Sequence, residues 1–249
     1  MLYFIFIIGA IFGSFYGVVG TRLPEGKSIV KPRSHCEKCG HILKWYENIP
    51  ILSYIFLGGL CKKCKNPIGF VYFLTELLSG CLFALCYKIY GINYEFFIAV
   101  ILSSLVIIIF VSDSKYMIIN DSPLIVSAIL IFIIKWLDTG IVSALMSLVY
   151  GLIIFGVAYL LMLFGSLAFK QEALGGGDIK LSFVAGIVLG VKLGILYIVL
   201  ASFLAFPYAV YVTLKNKDNM LPFGPFLVSS LLIIYLNMNI ISEIIKIIF

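Results

Sequence analysis

Charge is what this chain has least of: Asp, Glu, Lys and Arg together make up 12% of its 249 residues, while 62% are apolar. A soluble domain carries about a quarter charged residues to cover its surface, so that class is excluded. Disorder is excluded as well, because 21 Phe and 15 Tyr among so many aliphatic residues give the chain ample surface to bury. No basic stretch precedes the first apolar run, and Arg22 follows it, the reverse of a removable signal. Residues 1–20 are therefore expected as a retained first span that starts outside. There is no internal repeat of transporter type, no low-complexity segment and no nucleic-acid recognition motif, so no nucleic-acid partner is expected.

What remains is an all-α polytopic membrane protein. At roughly 20 residues per crossing, about eight transmembrane helices are expected, over 1–20, 68–90, 92–112, 121–138, 140–169, 179–190, 193–213 and 226–249. Short loops rich in Lys and Arg stay cytoplasmic. That rule collects Arg22, Lys27, Lys31, Arg33, Lys38, Lys44, Lys62, Lys63, Lys65, Lys115, Lys170, Lys180, Lys215 and Lys217 on the inside. Only Lys88, Lys135, Lys192 and Lys246 fall outside, and both termini face outward. Three parts result: a first transmembrane helix (1–20), a cytoplasmic loop (21–67) and a polytopic membrane domain (68–249). The cationic surplus of the loop is what an anionic leaflet attracts.

The loop contains Cys36-Glu-Lys-Cys39-Gly40 and, further on, Cys61-Lys-Lys-Cys64. Two such turns offer four thiolates from paired knuckles, the usual enclosure of a tetrahedral zinc ion. Gly40 suits a left-handed position that turns backbone amides toward sulfur. A pair of disulfides is the competing reading, but disulfides seldom persist in a reducing compartment. A closed four-sulfur site leaves no open coordination position, so zinc here is expected to be structural. With that shell complete, His35 and His41 are expected to face solvent. Residues 48–57 are too short to span a bilayer and too apolar for a free loop, so they are expected at the interface. Cys81 and Cys86, inside the second span, are read as packing residues.

Acids in or beside lipid-facing segments are costly and mark function until a partner explains them. Glu95 and Asp138 fall at outer helix ends where water is available. Asp121, ahead of Ser122-Pro123, is expected to cap a helix. Asp113 ends an apolar run, and Asp178 follows Gly175-Gly176-Gly177, three residues that suit a loop in close approach to another backbone. The charge rule puts both aspartates on one side. Carboxylates brought together in a water-poor pocket share a proton, and such a pair can activate water and polarise a peptide carbonyl. On spacing alone, they could equally bind a proton or cation.

The chain resembles the type IV prepilin peptidase family, also called prepilin leader peptidase/N-methyltransferase, membrane aspartic proteases of the GxGD type. The resemblance rests on GSFYGVVGTRLP at 13–24, both cysteine knuckles with WYENIPILSYIFLGGLC between them and FLTELLSG at 73–80. DSKYMIIND from Asp113, GGGDIKL at 175–181 and LPFGPF at 221–226 extend it to almost the whole chain. Departures are Gly17 in place of a usual Asn, Asn120 in place of a proline and Lys65 in place of a frequent knuckle glycine.

The resemblance implies Asp113 and Asp178 as the catalytic pair. It implies prepilins or pseudopilins as substrates, cut after a glycine at the cytoplasmic face of a bacterial inner membrane. It further implies N-methylation of the new amine with S-adenosylmethionine. Gly175, Gly176, Gly177, Lys180 and Glu76 are the candidate substrate contacts, Glu76 having helix packing as its alternative. Two other classes stay open from the residues: a proton- or cation-coupled transporter using the intramembrane acids, and a non-enzymatic zinc-ribbon scaffold.

Overall fold

The computed structural model describes residues 1–169, 174–215, 221–241 and 243. Lys170, Lys217, Lys246 and most of the last expected span beyond residue 241 lie outside them. The described chain is helical: α1 (Leu2–Arg22), a 3-10 turn (Trp45–Asn48), α2 (Leu52–Phe56), α3 (Phe70–Tyr90) and α4 (Tyr94–Tyr116) come first. They are followed by α5 (Asp121–Thr139), α6 (Ile141–Phe169), α7 (Gly176–Lys215) and α8 (Gly224–Leu236). Among the described residues, six of these helices are long and apolar enough to cross a membrane: α1, α3, α4, α5, α6 and α7. This is a multi-pass membrane protein with an insert between α1 and α3.

The expected sixth and seventh spans are the two arms of α7. Gly190 (φ 72°, ψ −172°) breaks the helix there. The hydroxyls of Ser182 and Tyr197 lie 3.4 Å apart, whereas a straight helix would separate residues fifteen apart by about 22 Å. The chain therefore turns back on itself at Gly190. The break frees carbonyls, and Lys135 Nζ of α5 donates to Ile187 O at 2.6 Å. Lys135 is thus a half-buried cap on the broken helix. Counted as continuous helices, the candidate crossings among the described residues are six, and α8 has 13 described residues; the count of eight belongs with the proposed topology.

Lipid tails are as apolar as leucine, so small residues and close packing, more than apolar burial, hold such helices together. Gly9, Gly13 and Gly17 repeat every fourth residue along α1, facing α3. A Cβ on Gly13 would sit 2.6 Å from Thr75 O and 2.8 Å from Glu76 Cα. Gly186 of α7 meets α6 in the same way, 2.6 Å from Tyr150 O. α1, α3 and α4 form one cluster, while α8 packs on both α4 and α7, and α5 packs on α4, α6 and α7. The shared core runs through Leu102, Leu105 and Ile109 of α4, Leu181 and Val184 of α7, and Leu227 and Leu231 of α8.

The insert leaves α1 at the end where α4 finishes, since Tyr116 OH donates to Glu25 Oε1 at 2.6 Å. Its α2 presents Leu52, Ile55 and Phe56 to the outside, the apolar face expected of a segment resting on the bilayer interface.

Candidate active site and metal centre

Asp113 lies in the last turn of α4, which ends at Met117 in the left-handed conformation with Met117 N–H on Asp113 O at 2.9 Å. Asp178 lies in the first turn of α7, with its N–H on Gly175 O at 3.0 Å. Both side chains are buried and within electrostatic reach of each other. What joins them is the start of α8 together with the 117–120 connection. Gly224 N–H donates to Asp113 Oδ2 at 3.0 Å, and Gly175 N–H donates to Asp178 Oδ2 at 3.2 Å. Each carboxyl is thus held by one oxygen at the positive end of a helix, which favours negative charge there. No described hydrogen bond uses Oδ1 of either residue.

The three glycines before Asp178 do different things. A Cβ on Gly177 would fall 2.6 Å from Ile119 Cβ, so this residue is the close approach that the glycine run predicted, and it is made to the chain's own 117–120 connection. A Cβ on Gly175 would meet Asp178 Oδ2 at 3.2 Å, while Gly176 faces open space. Gly177→Ala is therefore expected to cost about 1–3 kcal/mol through overpacking, and Gly176→Ala close to nothing. Thermal unfolding of the two purified variants in detergent checks the contrast; equal midpoints would contradict it.

Lys180 does not reach Asp178. Its Nζ donates to Asp121 Oδ1 and Oδ2 at 2.7 and 2.8 Å on the surface. Asp121 is accordingly the first helical residue of α5 and pairs with Lys180, while Asn120 takes the cap position expected for it. Glu76 lies elsewhere: its Oε2 accepts from Ile51 N–H at 2.6 Å. Ile51 has φ 64° and ψ −53°, an uncommon conformation for a β-branched residue that costs of order 1–3 kcal/mol. Glu76 thereby ties the insert to α3.

Three residues around the site escaped the sequence reading. Gly224 stands in the quoted LPFGPF stretch, and the following Pro225 at the first turn of α8 is a helix-start signal that could have flagged its free N–H. Ser182, whose Oγ donates to Asp178 O at 2.9 Å, and the fully buried Tyr197 beside it carried no signal.

In the insert the two knuckles are built alike. Cys36 N–H donates to His41 O and Gly40 N–H to Cys36 O, both at 2.9 Å; Cys61 N–H donates to Asn66 O at 2.8 Å and Lys65 N–H to Cys61 O at 2.9 Å. Gly40 (φ 68°) and Lys65 (φ 59°) occupy the same left-handed position. The four sulfurs all lie within 4.8 Å of one another, with Cys36–Cys64 at 3.7 Å and Cys39–Cys61 at 3.9 Å. Tetrahedral Zn–S bonds near 2.3 Å require sulfurs about 3.8 Å apart, so the cluster fits a metal ion of that kind.

The donor chemistry agrees. N–H groups of Cys39 and Lys38 hold the Cys36 thiol below its ordinary range, and those of Asn66 bring Cys64 down to about 6. Cys39, despite the His41 N–H aimed at it, is pushed up to about 11 by burial and the other three sulfurs. Four thiolates this close require a cation between them. His41 does not face solvent as expected: its Nε2 lies 3.1 Å from Glu47 Oε2.

The model of the bacterial peptidase A24 N-terminal domain matches residues 7–90, and that of the type IV leader peptidase family matches residues 100–210. A Bacillus subtilis protein named prepilin leader peptidase/N-methyltransferase is 39% identical over 239 residues, covering 95% of this chain and 94% of its own. Proteins of the same name from Myxococcus xanthus and Vibrio cholerae are 39% and 29% identical. The Myxococcus match covers 70% of this chain and 52% of the relative, and the Vibrio match 94% and 96%. No solved structure matches the chain.

Proposed function

This chain belongs to the type IV leader peptidase family, and from that membership we propose that it is a membrane aspartic endopeptidase cleaving the leaders of prepilins or pseudopilins after glycine. It also methylates the exposed amine with S-adenosylmethionine. The observation that carries the reading is two buried carboxyls, from α4 and α7, each fixed by a backbone N–H through Oδ2 and free at Oδ1. In this reading Asp113 and Asp178 share one proton. The ionised member takes a proton from water, and the protonated member donates to the scissile carbonyl. Gly176, open on its outer side, lets the substrate backbone lie close, and Asp121–Lys180 borders the approach.

We place the site at the cytoplasmic face of a bacterial inner membrane, with eight crossings and the insert inside. A substrate inserted in the membrane, with its leader still cytoplasmic, would present its scissile bond at that boundary. The four cysteines would hold zinc, which would neutralise the thiolates and join the knuckles. Incubation of the purified full chain with candidate prepilins and labelled methyl donor tests the whole reading. Mass analysis of the product is expected to show leader loss plus one methyl group on the new amine. Intact prepilin would refute the peptidase, and unmethylated product the second activity.

A further inference from the structure

Beside the sulfur cluster, His41, Lys44, Tyr46, Glu47, Lys62 and Lys63 line a cavity of about 210 Å³. Glu47 is buried in its wall although it carries a carboxylate. One oxygen is fully used: Oε2 accepts from Lys44 N–H at 2.8 Å and faces His41 Nε2 at 3.1 Å. The other, Oε1, is buried with no hydrogen-bond partner. Its nearest cation, Lys62 Nζ, stands 4.0 Å away and donates instead to Tyr46 OH at 3.2 Å, 4.7 Å from the ring centroid. A buried carboxylate oxygen without a donor is costly and calls for an explanation. Nothing in the peptidase reading uses it.

The charge layout says what donor would fit. The acceptor lies inside, and three lysines stand around the cavity. A lone anion would be drawn to the lysines and leave Oε1 unpaired; a lone cation would meet them before reaching Glu47. A zwitterion with adjacent ammonium and carboxylate satisfies both.

We propose that this cavity binds the α-amino-acid end of the methyl donor, ammonium on Glu47 Oε1 and carboxylate among Lys44, Lys62 and Lys63. The assignment rests on the methyltransferase reading above and gives that activity its binding residues. Lys62, resting across Tyr46 within 4.0 Å of Oε1, is the side chain that the incoming ammonium displaces.

The test is equilibrium binding to the full chain, purified with its metal, using S-adenosylhomocysteine and 5′-methylthioadenosine. The two share the adenosine and thioether, but only the first has the amino-acid end. Wild type is expected to bind S-adenosylhomocysteine at least about tenfold more tightly. Glu47→Gln keeps the size and an acceptor for Lys44 N–H but removes the charge. It is expected to weaken S-adenosylhomocysteine about tenfold or more, the scale of one charge-assisted hydrogen bond, and to leave methylthioadenosine unchanged.

Lys63→Ala, which lines the cavity without pairing with the buried acid, is expected to show the same selective loss, and it carries the test if Glu47→Gln loses zinc. Equal binding by variant and wild type, or equal loss for both ligands, would overturn the site while leaving methylation in place. Failure of the wild type to bind either ligand or S-adenosylmethionine would sink the methyltransferase reading and this assignment with it.

Discussion

Asp113→Asn and Asp178→Asn are each expected to lower leader cleavage by about 10³-fold, within the range that general acid–base groups contribute. The geometry makes this a clean experiment. Asparagine keeps an oxygen that can accept from Gly224 N–H or Gly175 N–H, so the anchoring bonds at 3.0 and 3.2 Å survive the substitution. What disappears is the ability to gain or lose a proton at Oδ1. On the proposed mechanism the two carboxyls work as one unit sharing a proton, so the double variant is expected to be scarcely worse than either single one, because groups that work together are not additive. Single-turnover cleavage of a purified prepilin, with zinc content and unfolding temperature as controls on the fold, measures all three. Full cleavage by either single variant would end the proteolytic assignment. A double variant far slower than both singles would show independent roles.

Parts of this site could be read from sequence because their chemistry is local. Cys-x-x-Cys followed by a left-handed residue is a complete instruction for a knuckle, and both knuckles fold as their spacing requires. The glycine run before Asp178 likewise announced a close approach. It could not name the other side, which is Ile119, an apolar residue without a distinguishing mark. Gly224 was hidden for a different reason: its role depends on α8 packing against α4, a contact across 111 residues of chain that no periodicity encodes.

The partners of three polar residues were not visible in the sequence. His41 was expected to face solvent, Lys135 was placed among the outer cations and Lys180 was a candidate substrate contact. The fold gives them Glu47, the Ile187 carbonyl and Asp121. Where charge is scarce, a buried or interfacial ion finds a partner within the chain, and hydropathy alone cannot see which one. The reversal at Gly190 shows the opposite case. The sixth expected span ended at that residue, and glycine is the residue that tolerates φ 72° there.

Cys61→Ser should empty the proposed metal centre, because Cys61 is the most buried of the four cysteines, at 1% exposure, and three thiolates leave a tetrahedral shell open. Protein prepared under reducing, chelator-free conditions is expected to contain about one zinc per chain, and the variant less than about a tenth of that. The structural consequence follows from how little else holds the insert. Each knuckle is closed by its own backbone hydrogen bonds, but Val30, Ile42 and Trp45 lie exposed, so there is no apolar core to replace the metal. Structural zinc contributes on the order of 10–16 kcal/mol in small domains, comparable to the whole stability of a typical one. Limited proteolysis should therefore cut the variant within residues 27–67 while α1 and α3–α8 stay intact. The aspartates are positioned by α4, α7 and α8, none of which enters the insert, so cleavage is expected to fall less than methylation. If both activities vanished together with the fold of the bundle intact, the insert would have to be presenting the leader to the aspartates. If protein without zinc kept a protease-resistant insert, the metal would have no structural role.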